Sequence, residues 1–540
     1  MAQTIFTADI TAAEFPLLFD WAARTSMHID YRQAEGKPPV QYPQILYAED
    51  VLPVQAGYKS VSYKSVASAV SPADTAFTTI YTVSDTSQNK ALIGVTYDSK
   101  IFMLTSASPS WVDVTPASWA GTDAVTTGNA NGNYYLYLAN KGCYLVNITG
   151  VALTPTTLTS ITATNILGMF SAVNYLCLWD ATGTVYWSST VNPLDFTPSL
   201  ITGAGSSIPY DLLGKIVTIV PLNNGFVVYT TVNIVLASFS NNTQYPWIFR
   251  NANNGSGILN KQQVSNSHDL GFHIANTFTG VLNVTPSGCT VITPELTDFL
   301  ASKIYESFNF STNTVVRQDL DSVVATRLAV VGARYVILSY GIAGNPSITY
   351  SDAFVYDLVL QRWGRLNYAH SAIFELETNM EGVPAPYNQA SEVGATYSAA
   401  SPQTYGGSTV TLNSTPPIGH SIGMLQADGT VLVVYLNYTS ITDNAVLILG
   451  KFQSSRENMV TLQGVAVETI PTTNSGFSLY DMPSVNGKDI SAITPLIPLS
   501  TGTGVRTYGC RIVGKNHSLL FKGSFNLTTV EITAVIEGRR

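Results

Sequence analysis

The sequence predicts an all-β fold: a β-propeller of about six blades, with an additional C-terminal β module and a short N-terminal helix. Three observations lead there. Helix signals are scarce. Most of the chain consists of short runs rich in Val, Ile, Thr, Tyr and Phe, split by Gly, Asn, Asp and Pro, which is the pattern of many short strands. Finally, the hairpins these runs form recur at intervals of about 40–50 residues, a period that marks propeller blades of four strands each.

The N-terminal helix is expected over residues 10–24. Thr11 is its cap and Glu14 follows three residues on, while Phe15, Leu18, Phe19 and Ala22 form an apolar face. Residues 298–308 are a second, weaker helix candidate. Hairpins of apolar strand, polar turn and apolar strand follow at 92–104, 134–146, 174–187, 225–239 and 271–284. Their turns lie near Asp98, Asn140, Asp180, Thr231 and Asn276, and a sixth copy spans 335–358 with its turn near Asn345. The physical reason for a ring is packing. A blade apolar on both faces cannot bury them alone, and a closed circle of blades leaves few strand edges to guard. The competing fold, a β-sandwich, has strands every 8–12 residues without the longer period.

The pattern changes after Trp363. Residues 375–417 are rich in Pro, Gly, Ser, Ala and Tyr, and strand-like runs resume at 422–438 with an Asp428-Gly429 hairpin. The expected organisation is therefore residues 1–60 as helix and lead-in segment and 61–370 as propeller. Residues 371–417 form a loop-rich linker and 418–540 a C-terminal β module, and the N-terminal residues 42–61 are expected either to pair with this module or to close the ring.

Only 11% of residues are charged, against roughly 25% in ordinary soluble domains. With 45% hydrophobic residues the chain is not disordered. A net charge of −9 speaks against a protein that grips nucleic-acid phosphates. So few charges fit a surface hidden in an assembly, coated with Ser, Thr, Asn, Gln and Tyr, or both. The most apolar stretches, 217–239 and 328–342, are broken by Pro221, Asn223, Asn224, Asn233 or Arg334, so neither supplies about 20 apolar residues for a membrane helix. The first 20 residues carry Asp9 and Glu14 and no Lys or Arg, unlike a signal peptide. The sequons at Asn147, Asn437 and Asn526 are then by-products of an Asn- and Thr-rich composition, and Cys143, Cys177, Cys289 and Cys510 are expected as free thiols.

A search for chemistry finds no committed site: no catalytic, cofactor-binding or metal-binding residue is assigned. Phosphate loops and nucleophile elbows are missing. Ser87 and Lys90 spell SxxK, but in a polar turn. The six histidines are His28, His268, His273, His370, His420 and His517. Even the closest pair, His268 and His273, stands five apart, on opposite faces of a strand. A sialidase-type Asp box is approached at Asp180 and Gly183, with the wrong spacing and no repeat. The carboxylate pairs Asp319 with Asp321 and Asp352 with Asp357 read as turn and cap residues rather than as a glycosidase dyad. The 29 Tyr, 21 Phe and 7 Trp read first as packing residues.

Residues 185–198 (VYWSSTVNPLDFTP) resemble a segment of short-tailed phage tail proteins, in which a blade strand ends in an aromatic-Ser pair followed by an Asn/Asp-Pro-x-Asp-aromatic turn. Residues 354–363 (FVYDLVLQRW) look like a later strand of such blades. Residues 42–57 (YPQILYAEDVLPVQAG) are similar to their lead-in segment, and 521–527 with 537–540 to their C-terminal strand and tail. In this order the segments resemble the podovirus tail nozzle family, also called tail tubular protein B or head-to-tail stabilisation proteins. The resemblance covers 42–363 loosely and the last twenty or so residues, while residues 375–516 match nothing in it. It implies a non-enzymatic virion protein, made in the host cytoplasm, that forms a homo-hexameric ring below the portal and adaptor proteins. Such a ring extends and gates the DNA-ejection channel and docks tail fibres or a needle. DNA would pass through an acidic or neutral channel without specific binding, and no cofactor or membrane anchor is implied. The alternatives are a receptor- or carbohydrate-binding tail protein, using exposed aromatics on loops such as 375–417, and a polysaccharide hydrolase.

Overall fold

The structure is a computed structural model. The residues it describes are 3–8, 27–28, 45–67, 77–119, 125–292, 304–309, 314–319, 326–341, 349–377, 403–405, 408–410, 420–435, 445–453, 459–469, 476–484, 492–499 and 505–537, less a few single or paired positions inside these runs.

The strands form because both faces of each blade are covered. Lys90–Thr96 and Gly225–Thr230 are buried at every position, so they read as continuous apolar runs rather than alternating ones. The turns between them use residues that tolerate positive φ. Asn131 and Gly132 (φ 51° and 74°) make the tight hairpin between Val125–Ala130 and Asn133–Leu138. The result is a β-propeller of seven blades, each a four-stranded antiparallel sheet, rather than the six that hairpin counting suggested. Blades 1 to 5 are contiguous in the chain. Their first strands are Phe77–Ser84, Val125–Ala130, Ile166–Ala172, Ile216–Leu222 and Val264–Asn266. Blade 6 consists of Arg327–Val331, Tyr335–Tyr340, Asp352–Asp357 and Arg362–Leu366.

Blade 7 is the one the period could not show. It joins Ala372–Glu377, His420–Leu425 and Val431–Tyr435 to Ser62–Ala67 from the N-terminal part of the chain. Ser62–Ala67 pairs with Val431–Tyr435, so the ring is closed by a strand from its other end. Seven separate apolar cores lie between successive blades, the last joining Phe77, Leu92 and Phe102 of blade 1 to Phe374, Leu376 and Val433 of blade 7. Trp111 of blade 1 bolts this seam by donating its indole N–H to the Gly429 carbonyl at 2.7 Å.

Two boundaries move accordingly. The ring runs past residue 370, because Ala372–Glu377 is a blade strand and not the start of a linker. The second module begins near residue 445 rather than 418, because residues 420–435 belong to the ring. The module is two sheets around one large core. One contains Val446–Gln453, His517–Gly523, Phe477–Asp481 and Thr494–Pro495, with Ile45–Glu49 added on Val446–Gln453. The other contains Asn526–Glu537, Met459–Thr469, Val505–Gly514 and Ile497–Pro498, with Gln3–Ala8 on Asn526–Glu537. This second sheet continues through Gly57–Ser60 and Val51–Val54 onto Arg362–Leu366, the outer strand of blade 6.

The expected helix at 10–24 lies outside the described residues, as does the turn near Asn345. The candidate helix at 298–308 is corrected where it is described: Ile304–Asn309 is a strand paired with Thr314–Asp319. Both runs contain β-branched and aromatic residues, and antiparallel pairing wins over a weak helical period.

Candidate functional site

The outer rim of blade 3 carries some of the most exposed apolar side chains among the described residues. Between Val185–Trp187 and Gly205–Ser207 the chain makes a long loop, and its backbone is tied down throughout. The Ser189 hydroxyl accepts from the N–H groups of Val191 and Asn192 at 3.1 and 3.3 Å. The Asn192 and Asp195 side chains accept from Leu194 and Thr197, and Ser199 accepts from Ile201 and Thr202. Trp187 donates to the Gly203 carbonyl at 2.8 Å, and Gly203 (φ 74°) completes the tight turn. Phe196 anchors the loop in the core between blades 2 and 3. Thr190 meets Thr202 across the loop, so Val191 stands beside Ile201, which is 94% exposed, and Leu200. Farther along, Ile208, Tyr210 and Leu213 are exposed too. Tyr210 is fixed by its hydroxyl donating to the Phe249 carbonyl of blade 4 at 2.6 Å. The stretch 188–214 holds Asp195 and Asp211 and no Lys or Arg. The loop is thus an apolar, almost uncharged surface whose backbone is held by hydrogen bonds.

The residues weighed as chemistry are mostly architectural. Asp180 organises its turn: it accepts from Thr182 N–H and hydroxyl, from Thr184 N–H and from the Tyr186 hydroxyl. These bonds outweigh partial burial and hold its carboxyl below the usual range. Asp85 plays the same part in the turn that contains Ser87, where it accepts from Ser87 and Asn89. Asp352 and Asp357 do not face each other. Asp357 takes Arg334 at 2.7 Å and caps the N–H groups of Val359 and Leu360. Asp352 pairs with Arg365 at 3.1 Å, both side chains 1% exposed. His273 bridges blades 4 and 5, from the Tyr229 hydroxyl (3.0 Å) to the Pro221 carbonyl (2.6 Å). His370 bridges the Ser339 hydroxyl and the Tyr368 carbonyl, both at 2.7 Å. In the module His517 lies between the Asp481 carboxylate (2.8 Å) and the Val460 carbonyl (3.0 Å). His268 and Asp321 lie outside the described residues, and the side chains of His28, His420 and Asp319 are not described. All four cysteines are free, and burial pushes the Cys143 thiol up to about 12. Among the described residues no group of His, Cys, Asp and Glu has the arrangement of a metal site, and no helix is long and apolar enough to cross a membrane.

What sequence reasoning missed is the joint between ring and module. Arg365 of blade 6 lies over the Tyr47 ring at 5.2 Å and reaches the Ala48 carbonyl. Around it stand Asp352, Glu49, which accepts from the Tyr47 hydroxyl, and Asp50, which accepts from the Tyr63 hydroxyl and from Asn367 N–H. Burial pushes Asp50 up to about 6 and raises Glu49. Arg362 adds bonds to the carbonyls of Gln55 and Gly57, and Tyr58 donates to the Trp363 carbonyl. The available signal was the charge spacing in residues 49–50 and 352–365, which has no motif attached to it.

The module also has a cleft of about 350 Å³ between its sheet edges, walled by Phe477, Tyr480, Pro495, Pro498 and Tyr508. Arg506 projects along it, 5.6 Å from the centre of the Phe477 ring.

No family model and no curated protein matches the chain. Solved structures similar to it include WD40 propellers. The crystal structure of RRP9 WD40 repeats has a TM-score of 0.39 and 8% identity, covering 69% of this chain and 100% of that one. YCF48 bound to D1 peptide has a TM-score of 0.37 and 10% identity, covering 72% and 98%. The WD40 β-propeller domain of Doa1 has a TM-score of 0.37 and 8% identity, covering 69% and 97%. The seven-bladed ring rests on the chain's own sheets and cores.

Proposed function

We propose that this chain is a non-enzymatic structural subunit of a short-tailed phage virion. It builds the tail nozzle as a homo-hexamer below the portal and adaptor proteins, extends the DNA-ejection channel and docks fibre or needle proteins. The observation that carries the reading is the tied-down, apolar rim of blade 3 in a chain with few charges. Such a surface is suited to burial against a neighbouring copy. The segment at 185–198 that resembles nozzle proteins supplies the first part of this loop and Val191 of the rim, while Leu200, Ile201, Ile208, Tyr210 and Leu213 follow it. Its Trp-Ser-Ser and Asn-Pro-x-Asp-Phe residues are those that make the turn bonds described above.

Electron microscopy of the purified protein, alone and with portal–adaptor complexes, tests the reading: discs with a central hole are expected. Changing Leu200 and Ile201 together to Asp is expected to abolish the discs. These side chains are exposed, so the melting midpoint should move by no more than about 2 °C. A chain that stays monomeric at tens of micromolar and does not join such complexes overturns the proposal. The alternative, a receptor- or carbohydrate-binding tail protein, draws on the aromatic cleft with Arg506 and is favoured if the isolated chain binds glycans and Arg506→Ala abolishes that binding.

A further inference from the structure

The propeller axis holds a second feature, independent of the rim. Arg327 opens the inner strand of blade 6 and is 9% exposed. Its Nη1 donates to the carbonyls of Thr78 in blade 1 and Ser371 at the start of blade 7. Lys261, three residues before the inner strand of blade 5, donates to the Val125 carbonyl of blade 2 at 3.0 Å, and the same carbonyl takes the Tyr81 hydroxyl at 2.7 Å. Next to Lys261, the Gln262 side chain accepts from the Tyr350 hydroxyl at 3.3 Å. These bonds bring the starts of five inner strands together at one end of the axis. The ionisable groups near Arg327 that bear on its charge are the phenols of Tyr350 and Tyr81, neutral at pH 7, and no carboxylate is among them. Neither Arg327 nor Lys261 has an acidic partner among the described residues, in contrast to Arg334 and Arg365 of the same blade. The Nε and Nη2 donors of Arg327 make no hydrogen bond, and they are not sealed from solvent. That edge is the planar fork that matches two oxygens of one anion. A buried guanidinium without a counter-charge is costly, and backbone carbonyls answer only one of its nitrogens.

We propose that this end of the axis is a binding site for an oxyanion, a carboxylate or phosphate group held by the Nε–Nη2 edge of Arg327 and the ammonium of Lys261. Tyr81, Tyr350 and Gln262 frame it. The group can come from free phosphate or from an acidic side chain of a docked protein, and both present the same pair of oxygens.

Calorimetric titration of the full chain with inorganic phosphate at constant ionic strength tests this. Saturable binding is expected with phosphate and none with chloride. Lys261→Gln should weaken binding about tenfold and Arg327→Gln should remove it. Arg327 also ties blades together, so Lys261→Gln, with a half-buried side chain at the mouth, decides the matter if Arg327→Gln does not fold. An Asp- and Glu-containing peptide is the second probe. Sensitivity of its binding to Lys261→Gln supports the site with a partner's carboxylate as the source, and sensitivity of phosphate alone supports the site with free phosphate as the source. If neither probe binds saturably, or if Lys261→Gln binds as tightly as the unaltered chain, the proposal is overturned.

Discussion

His273 and His370 show how one side chain can set a pH limit. In each, one ring nitrogen donates to a backbone carbonyl, so the other, facing a hydroxyl, carries no proton and the ring is neutral. Burial pushes both down to about 4. The unfolded chain therefore binds more protons than the folded one between pH 6.5 and 4, and each histidine withdraws up to about 3 kcal/mol of stability as pH falls through that window. Urea midpoints at pH 7 and 4.5 should differ, and by less in His273→Gln; an unchanged difference would refute the assignment. His517 has the opposite sign. Burial lowers its pKa, but the Asp481 carboxylate and the Val460 carbonyl outweigh burial and raise it. Its contribution is full below 6.5 and is lost as pH rises through the raised value. Gly364 makes a third test. A Cβ there would stand 2.6 Å from the Val51 carbonyl, beside the Arg365–Val51 pair that joins ring and module. Gly364→Ala should cost about 1–3 kcal/mol in chemical denaturation. None of this was visible in residue types alone: a histidine reads as a core residue only once its two acceptors are known, and Arg327 bonds to carbonyls, which leave no trace in sequence.

The elements were readable where they are local. Turns near Asp98, Asn140, Asp180 and Thr231 do separate paired strands, because their apolar runs are continuous and their polar breaks short. Blade 7 escaped because its strands are contributed by residues 62–67, 372–377 and 420–435, so no contiguous hairpin repeat marks it. Removing residues 1–67 should therefore leave Val431–Tyr435 with a bare edge and open the seam at Trp111. Limited proteolysis is expected to cut the shortened chain between blades 7 and 1 far faster than the full one, and equal rates would count against closure by Ser62–Ala67.

At the scale of the whole molecule, the period announced a wheel but not its seam, and the exposed rim of blade 3 was not legible in the sequence, because an apolar residue in a loop reads the same whether it is covered or bare. Composition was the more general guide to class: 45% hydrophobic and 11% charged residues mark a folded chain whose surface carries few charges. The disc prediction and the axial oxyanion prediction separate cleanly, since one depends on the outside of blade 3 and the other on the ring's centre. The seam itself has a consequence for biosynthesis. The strand that completes blade 7 is made first and its mate some 370 residues later. At about 5–20 residues per second the ribosome needs roughly 20–75 s to supply the mate. Through that interval Phe77, Phe102 and the unpaired Ser62–Ala67 stay uncovered on the nascent polypeptide, so emergence of Val431–Tyr435, not of the first blade, starts the clock for a closed particle.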